Sequence, residues 1–239
     1  MPRSTKTMDG ALSRNPAWQD SRPARSRISQ EDLIQSAIQV LDDEGFDGLT
    51  MRRVAGHLGI KAASLYNHVR NKGELLALVA DTLCGQIAEL EKRGPWRQQL
   101  ETVAIQFRQV LLAHRDGARV LAATPPLGPM RLRIMEQILN ALVTAGFSAV
   151  EATDAASVHN SYVVGFVLDE TLGRPRDARS VRRMSAETKR WFQSLSIAEY
   201  PTIVSLADQL ADATPDERFQ FGVRALLDGY EIRLLRKAR

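Results

Sequence analysis

At 239 residues, with 44% hydrophobic and 25% charged side chains, the chain has the composition of a globular protein large enough to couple a small module to a bigger domain. No apolar run approaches the roughly 18 residues that span a bilayer. Residues 1–27 hold Arg3, Lys6, Arg14, Arg22, Arg25 and Arg27 without the apolar core of a secretory signal, and the single Cys84 excludes an internal disulfide or a multi-cysteine zinc site, so a cytoplasmic location is expected. Net charge is only +4, but residues 50–73 carry no acid while holding Arg52, Arg53, Lys61, Arg70 and Lys72, an electrostatic footprint for phosphate.

Residues 1–27, rich in Pro, Ser and Arg and without apolar period, are expected to form a disordered basic arm. Ser29 with Asp32 three positions on starts a helix whose apolar stripe is Leu33, Ala37, Val40 and Leu41, and Gly45 stands where a left-handed cap ends it, giving about 30–44. Thr50 caps a second, short helix that stops at Gly59; a third runs from Ala62 to about Val69. A fourth opens near Lys72 and continues through Leu75, Leu76, Val79, Leu83 and Ile87 until Gly94 and Pro95 break it. Helical periodicity returns over 98–114, 130–145, 151–172 and 215–237, while 173–183, with Arg174, Arg176, Arg179, Arg182 and Arg183, reads as a solvated loop. No alternating run predicts a sheet. The expected fold is all-α: a three-helix helix-turn-helix domain over 28–74 and a larger helical domain for ligand binding and dimerisation over 75–239.

Two short helices crossing steeply need a small residue at the crossing, a glycine in the turn and apolar anchors on both sides. Ala55 supplies the first and Gly59 the second, Ile60 plugs the gap, and Val54, Leu58, Leu65 and Val69 are the anchors. With Leu65 and Val69 inward, Ala62, Ala63, Tyr66 and Asn67 face outward, flanked by Ser64 and His68. Lys61 can reach a phosphate or a guanine, Asn67 suits a bidentate pair with adenine, and the Ala62 and Ala63 methyls suit a thymine methyl. Thr50, Arg52, Tyr66 and Lys72 are placed to hold the DNA backbone. The competing reading of Tyr66 and His68 is burial against a neighbouring helix.

The run from Leu49-Thr50-Met51-Arg52-Arg53-Val54-Ala55 through Leu65-Tyr66-Asn67-His68-Val69-Arg70-Asn71-Lys72 resembles the DNA-binding domain of the TetR family of transcriptional regulators. Beyond it, His114-Arg115-Asp116-Gly117-Ala118, Val120, Thr124, Pro126 and Gly146-Phe147-Ser148 are similar to the ligand-binding domain of tetracycline repressors, and the likeness weakens after about residue 170. The resemblance implies a homodimer, joined through the helices near 151–172 and 215–237, on a palindromic operator in double-stranded DNA. Both helices carry wide apolar faces, with Val158, Tyr162, Val163, Phe166 and Val167 on one and Phe219, Phe221, Val223, Leu226 and Leu227 on the other. Part of that surface is expected in the protomer core.

By the same likeness Val103, Phe107, Leu121, Thr124, Pro126, Ile134 and Gln137 occupy effector-pocket positions. Leu121 stands where tetracycline repressors place a histidine that coordinates the drug-bound magnesium, and Ala88 and Val103 stand where they place a histidine and an asparagine that contact the drug. The expected effector is therefore a small hydrophobic or aromatic molecule without metal, held in a largely apolar pocket, and no cofactor is expected. His57, His114 and His159 lack metal-ligand spacing. The expected function is a repressor released from its operator by that ligand; the alternative is a DNA-binding activator or architectural protein without a ligand. No glycine loop for phosphate, nucleophile elbow or recognisable pair of catalytic carboxylates points to an enzyme.

Overall fold

Ser29 begins the first helix, α1 (Gln30–Gly48), with a capping box in which its hydroxyl accepts from the Asp32 N–H while the Asp32 carboxylate accepts from Ser29. The structure is a computed structural model that describes residues 28–88, 94–173, 177–212 and 214–237; the basic arm expected over 1–27 lies outside them. Regular helix stops at Gly45, whose φ of 77° only glycine adopts without strain, and a last turn leads to Gly48. Two short helices follow, α2 (Met51–His57) and α3 (Ala62–Leu65), with Gly59 at φ 66° turning the chain between them. Ser36 ties α1 to α2 from inside, its hydroxyl 3.0 Å from His57 Nδ1. Leu33, Ala37 and Leu41 of α1 close over Val54, Ala55, Leu65 and Val69, all nearly fully buried, as the expected anchors require.

The third helix is shorter than expected. Its α-helical part ends at Leu65, and tight turns carry Tyr66, Asn67 and His68 round to Val69, where a side chain with no polar group is driven into the core. Aromatic, Asn, His and β-branched residues in succession favour a helix weakly, and the Asn71 side chain caps the next one by accepting from the Glu74 N–H at 2.9 Å. That helix, α4 (Lys72–Cys84), also stops short of the expected break at Gly94: Gly85 is its C-cap, set close to the Met130 side chain, and residues 89–93 lie outside the described ones.

Beyond it come α5 (Trp96–Ala113), α6 (Gly117–Ala122), α7 (Pro129–Thr144) and α8 (Ala149–Thr171). Helix α5 packs on α6, α7 and α8, and α4 rests on α1, α6 and α7, so α4 belongs to both halves of the protein. The run expected as a loop is helical from its middle onward: Asp177 caps α9 (Ala178–Gln193), accepting from the Ser180 N–H at 2.8 Å. Met184, Thr188 and Phe192 then recur at four-residue spacing on its half-buried side, leaving Arg179, Arg182 and Arg183 exposed; Arg174 and Arg176 fall outside the described residues. α9 packs on α10 (Pro201–Ser205) and α11 (Ala207–Asp212). The last helix, α12 (Pro215–Lys237), lies along α8 and α5. No helix among the described residues is long and apolar enough to cross a membrane.

Of the apolar residues expected to join two protomers, Val163, Val167, Phe219, Val223 and Leu227 are buried inside one protomer, whereas Val158 and Phe221 are 46% and 77% exposed.

Candidate nucleic-acid interface and effector cavity

On the outer side of α2 and α3, the residues expected to meet DNA form one exposed set. Thr50, which caps α2 by accepting from the Arg53 N–H, is exposed, as are Arg52, Lys61, Ala63, Ser64, Asn67 and His68; Ala62 is half-buried and Tyr66 is 55% exposed. Tyr66 and His68 therefore point to solvent rather than into a neighbouring helix. Among the described residues, the Arg52, Lys61, Tyr66, Asn67 and His68 side chains make no hydrogen bond or ion pair. Arg53 and Arg70, by contrast, are held by Glu44 and Glu74 at 2.8 and 3.1 Å. Lys72 is set back: its ammonium donates to the Phe46 carbonyl at 3.4 Å and lies 5.1 Å from the Phe46 ring centre.

The acids at the end of α1 build a joint to the second half. Asp42 accepts from the Arg115 N–H at 2.9 Å and lies 3.0 Å from His114 Nδ1, while Asp116 accepts from the Phe46 N–H at 2.8 Å. Arg119 forks onto Asp47 at 3.0 and 3.1 Å, which holds that carboxyl below its usual range, and also lies over the Phe46 ring, 4.6 Å from its centre. Two cations thus clamp Phe46, one from α4 and one from α6. Asp116 itself adopts φ 56°, a left-handed conformation that aims its carboxylate at the α1 terminus. The acid-rich end of α1 and the His114-Arg115-Asp116-Gly117 run were the sequence signals for this joint.

A cavity of about 260 Å³ opens among α4, α5, α7 and α8. Four of the seven expected residues line it: Val103, Phe107, Pro126 and Ile134. Leu121 and Thr124 are buried outside the lining, where the Thr124 hydroxyl donates to the Val120 carbonyl at 3.0 Å and accepts from Arg131 Nη1 at 2.8 Å; Gln137 is half-buried on α7. Most of the lining surface is apolar; its polar members are Thr153, Ser157, His159 and Asn160 from α8 and Arg131 from α7. His159 is 1% exposed and neither ring nitrogen has a hydrogen-bond partner. Burial pushes its pKa down to about 4; the Leu100 backbone opposes this only weakly, since it is not in hydrogen-bonding geometry with either nitrogen. Cys84 also faces the cavity, and burial raises its thiol pKa to about 12, so it behaves as a small neutral hydrophobe. No cluster of metal-ligating residues occurs among the described residues.

A helix-turn-helix with an unpaired polar face, joined by one shared helix to a helical bundle around a cavity, defines a DNA-binding regulator with an effector domain. The pattern of the bacterial regulatory proteins of the tetR family matches residues 33–79, and that of the tetracyclin repressor-like C-terminal domain matches residues 89–234. The chain belongs to the TetR family, and the likeness extends well past residue 170. It is 33% identical over 216 residues to the Escherichia coli tetracycline repressor protein class A from transposon 1721, covering 88% of this chain and 94% of that one. Among solved structures, Streptomyces coelicolor ActR in complex with actinorhodin superposes with a TM-score of 0.76 at 29% identity, over 87% of this chain and 99% of that one. BioQ with its double-stranded DNA operator superposes with a TM-score of 0.63 at 28% identity, over 85% and 98%. The protein is a ligand-responsive transcriptional repressor of this family.

Proposed function

We propose that the protein acts in the cytoplasm as a homodimer that holds two copies of α3 against successive major grooves of a palindromic operator, and that a small aromatic ligand in the α4–α8 cavity releases it. The observation that carries this reading is the shared helix: α4 begins at Lys72 on the Phe46 clamp and ends at Cys84 in the cavity wall. A ligand that favours one tilt of α4 shifts the spacing of the reading heads, by no more than its differential affinity for the two states. The ActR complex with actinorhodin and the BioQ complex with DNA support the two halves of the proposal. The exposed apolar side chains Val158, Phe221, Ile232 and Leu235 on α8 and α12 support dimerisation through those helices.

Asn67→Ala is expected to relax choice at one base pair, at a cost of about 1–3 kcal/mol on the preferred sequence, because a bidentate amide contact reads a base. Arg52→Ala is expected to weaken binding to every sequence and to reduce the salt slope by about one. Fluorescence anisotropy on matched and scrambled duplexes distinguishes them; equal losses for Asn67→Ala on both would remove its reading role.

The joint gives a second expected result. Asp116→Ala frees the Phe46 N–H, so operator and ligand should each bind within a few-fold of wild type while the ligand's effect on operator binding shrinks, by part of the about 1–3 kcal/mol typical of such coupling. Operator titrations with and without ligand measure this directly, and undiminished release would clear Asp116 of the role.

A further inference from the structure

Two polar groups in the cavity wall are incompletely satisfied, and they make different demands on whatever binds. The Arg131 guanidinium, half-buried at the start of α7, is fixed on one side only: Nη1 donates to the Thr124 hydroxyl at 2.8 Å, to its carbonyl at 3.1 Å and to the Pro125 carbonyl at 3.3 Å. These acceptors are all neutral. Among the described residues Arg131 has no ion pair, and its Nε and Nη2 meet no protein acceptor. Asp81 acts on the guanidinium only through space: its carboxylate accepts from the backbone N–H groups of Met130 and Arg131 at 2.9 Å. A guanidinium does not lose its proton in a protein, so this cation stays charged beside an apolar cavity.

Among the described residues, no aspartate or glutamate lines the cavity. His159, in the same lining, is 1% exposed with both ring nitrogens unpartnered, whereas buried polar atoms in proteins are almost always paired. As a neutral imidazole it offers one donor and one acceptor. The remaining wall, including Val103, Phe107, Ile134, Ile138 and Leu139, is apolar and suits a ring system, and a volume of about 260 Å³ sits at the small end of ligand cavities.

We infer that the effector is an amphipathic organic anion: a compact aromatic body with a carboxylate, sulfonate or ionised phenol against Arg131 and a hydrogen-bonding group against His159. This deepens the reading of the cavity as the effector site and rests on it. Cationic ligands meet a positive charge that makes no ion pair among the described residues, and an uncharged ring system leaves Arg131 without one.

The test uses two fluorescent probes of nearly one shape, the anion 8-anilinonaphthalene-1-sulfonate and its uncharged parent N-phenyl-1-naphthylamine, titrated into the full-length protein. The anion should bind one site per subunit about tenfold more tightly than the neutral probe, as a charge-assisted contact would give. Arg131→Gln should erase that preference by weakening the anion alone, and Arg131→Lys should keep most of it. Because Arg131→Gln also removes contacts to Thr124, the wild-type comparison and Arg131→Lys stand without it if that variant fails to fold. Equal affinity of the two probes for the wild type, or a preference untouched by Arg131→Gln in a folded variant, would overturn the anion assignment and leave the cavity as an effector site. Binding of neither probe would overturn both.

Discussion

Replacing Glu170 with alanine is expected to cost about 3 kcal/mol of unfolding free energy, because it strips the principal partner from a nearly buried cation. Arg108 on α5 forks onto Glu170 of α8 at 2.9 and 2.7 Å, with the two side chains only 11% and 13% exposed. The same guanidinium reaches Asp216 of α12 at 2.7 Å and lies 5.0 Å from the Phe219 ring centre, so one charge ties together three helices of the effector domain. Glu170 contributes most to raising the Arg108 pKa, ahead of Asp216. Without it Arg108 keeps only Asp216, whose side chain is 76% exposed and well solvated. Asp216→Ala should therefore cost less than about 1 kcal/mol, as exposed ion pairs do. Urea unfolding of the two variants side by side measures the difference. Similar midpoints would mean that the Arg108–Glu170 pair contributes little, and that apolar packing, including the Tyr162, Phe166 and Phe219 cluster, holds these helices.

Acid should also destabilise the protein through His159. The folded pKa is depressed to about 4 from 6.5, so above the ordinary value both folded and unfolded chains carry a neutral imidazole and the group has no effect on stability. As pH falls below 6.5, the unfolded chain takes up a proton that the folded one refuses, and stability drops until the folded group protonates near 4. The full loss is on the order of 3 kcal/mol for a shift of this size. Arg131 from α7 and Cys84 from α4 are the other ionisable groups lining the same cavity, and neither titrates in that window. His159→Leu should flatten the dependence of the urea midpoint on pH between these limits. An unchanged acid limb in that variant would assign the loss to carboxylates elsewhere.

The reading head was legible in the sequence because local rules agree there: Ser29, Thr50 and Asn71 are side-chain caps, Gly45 and Gly59 sit at positive φ, and the anchors recur at helical spacing. The joint was less legible. Asp42, Phe46, Asp47, Asp116 and Arg119 lie about seventy positions apart, and only tertiary packing brings acids on one helix to a loop on another. The charge run misled over 178–183 for a related reason. An amphipathic helix that packs on its own small neighbours carries few apolar residues, and its arginines read as a solvated loop although arginine is a good helix former. In the cavity, the family likeness located positions on α5 and α7, but Thr153, Ser157, His159 and Asn160 on α8 had no motif to reveal them. For His159 the sequence showed only a lack of metal-ligand spacing; its burial and the absence of any partner for its ring nitrogens are what three-dimensional placement shows.

The most direct test of the central claim is selection of duplexes from a random DNA pool by the purified full-length protein, followed by sequencing. The account predicts enrichment of one palindrome whose half-sites lie one helical turn apart, about 34–36 Å between centres, with Asn67→Ala relaxing one symmetric pair of positions. Recovery of unrelated sequences, or of a single half-site without its mirror image, would contradict a dimer that reads DNA through α3.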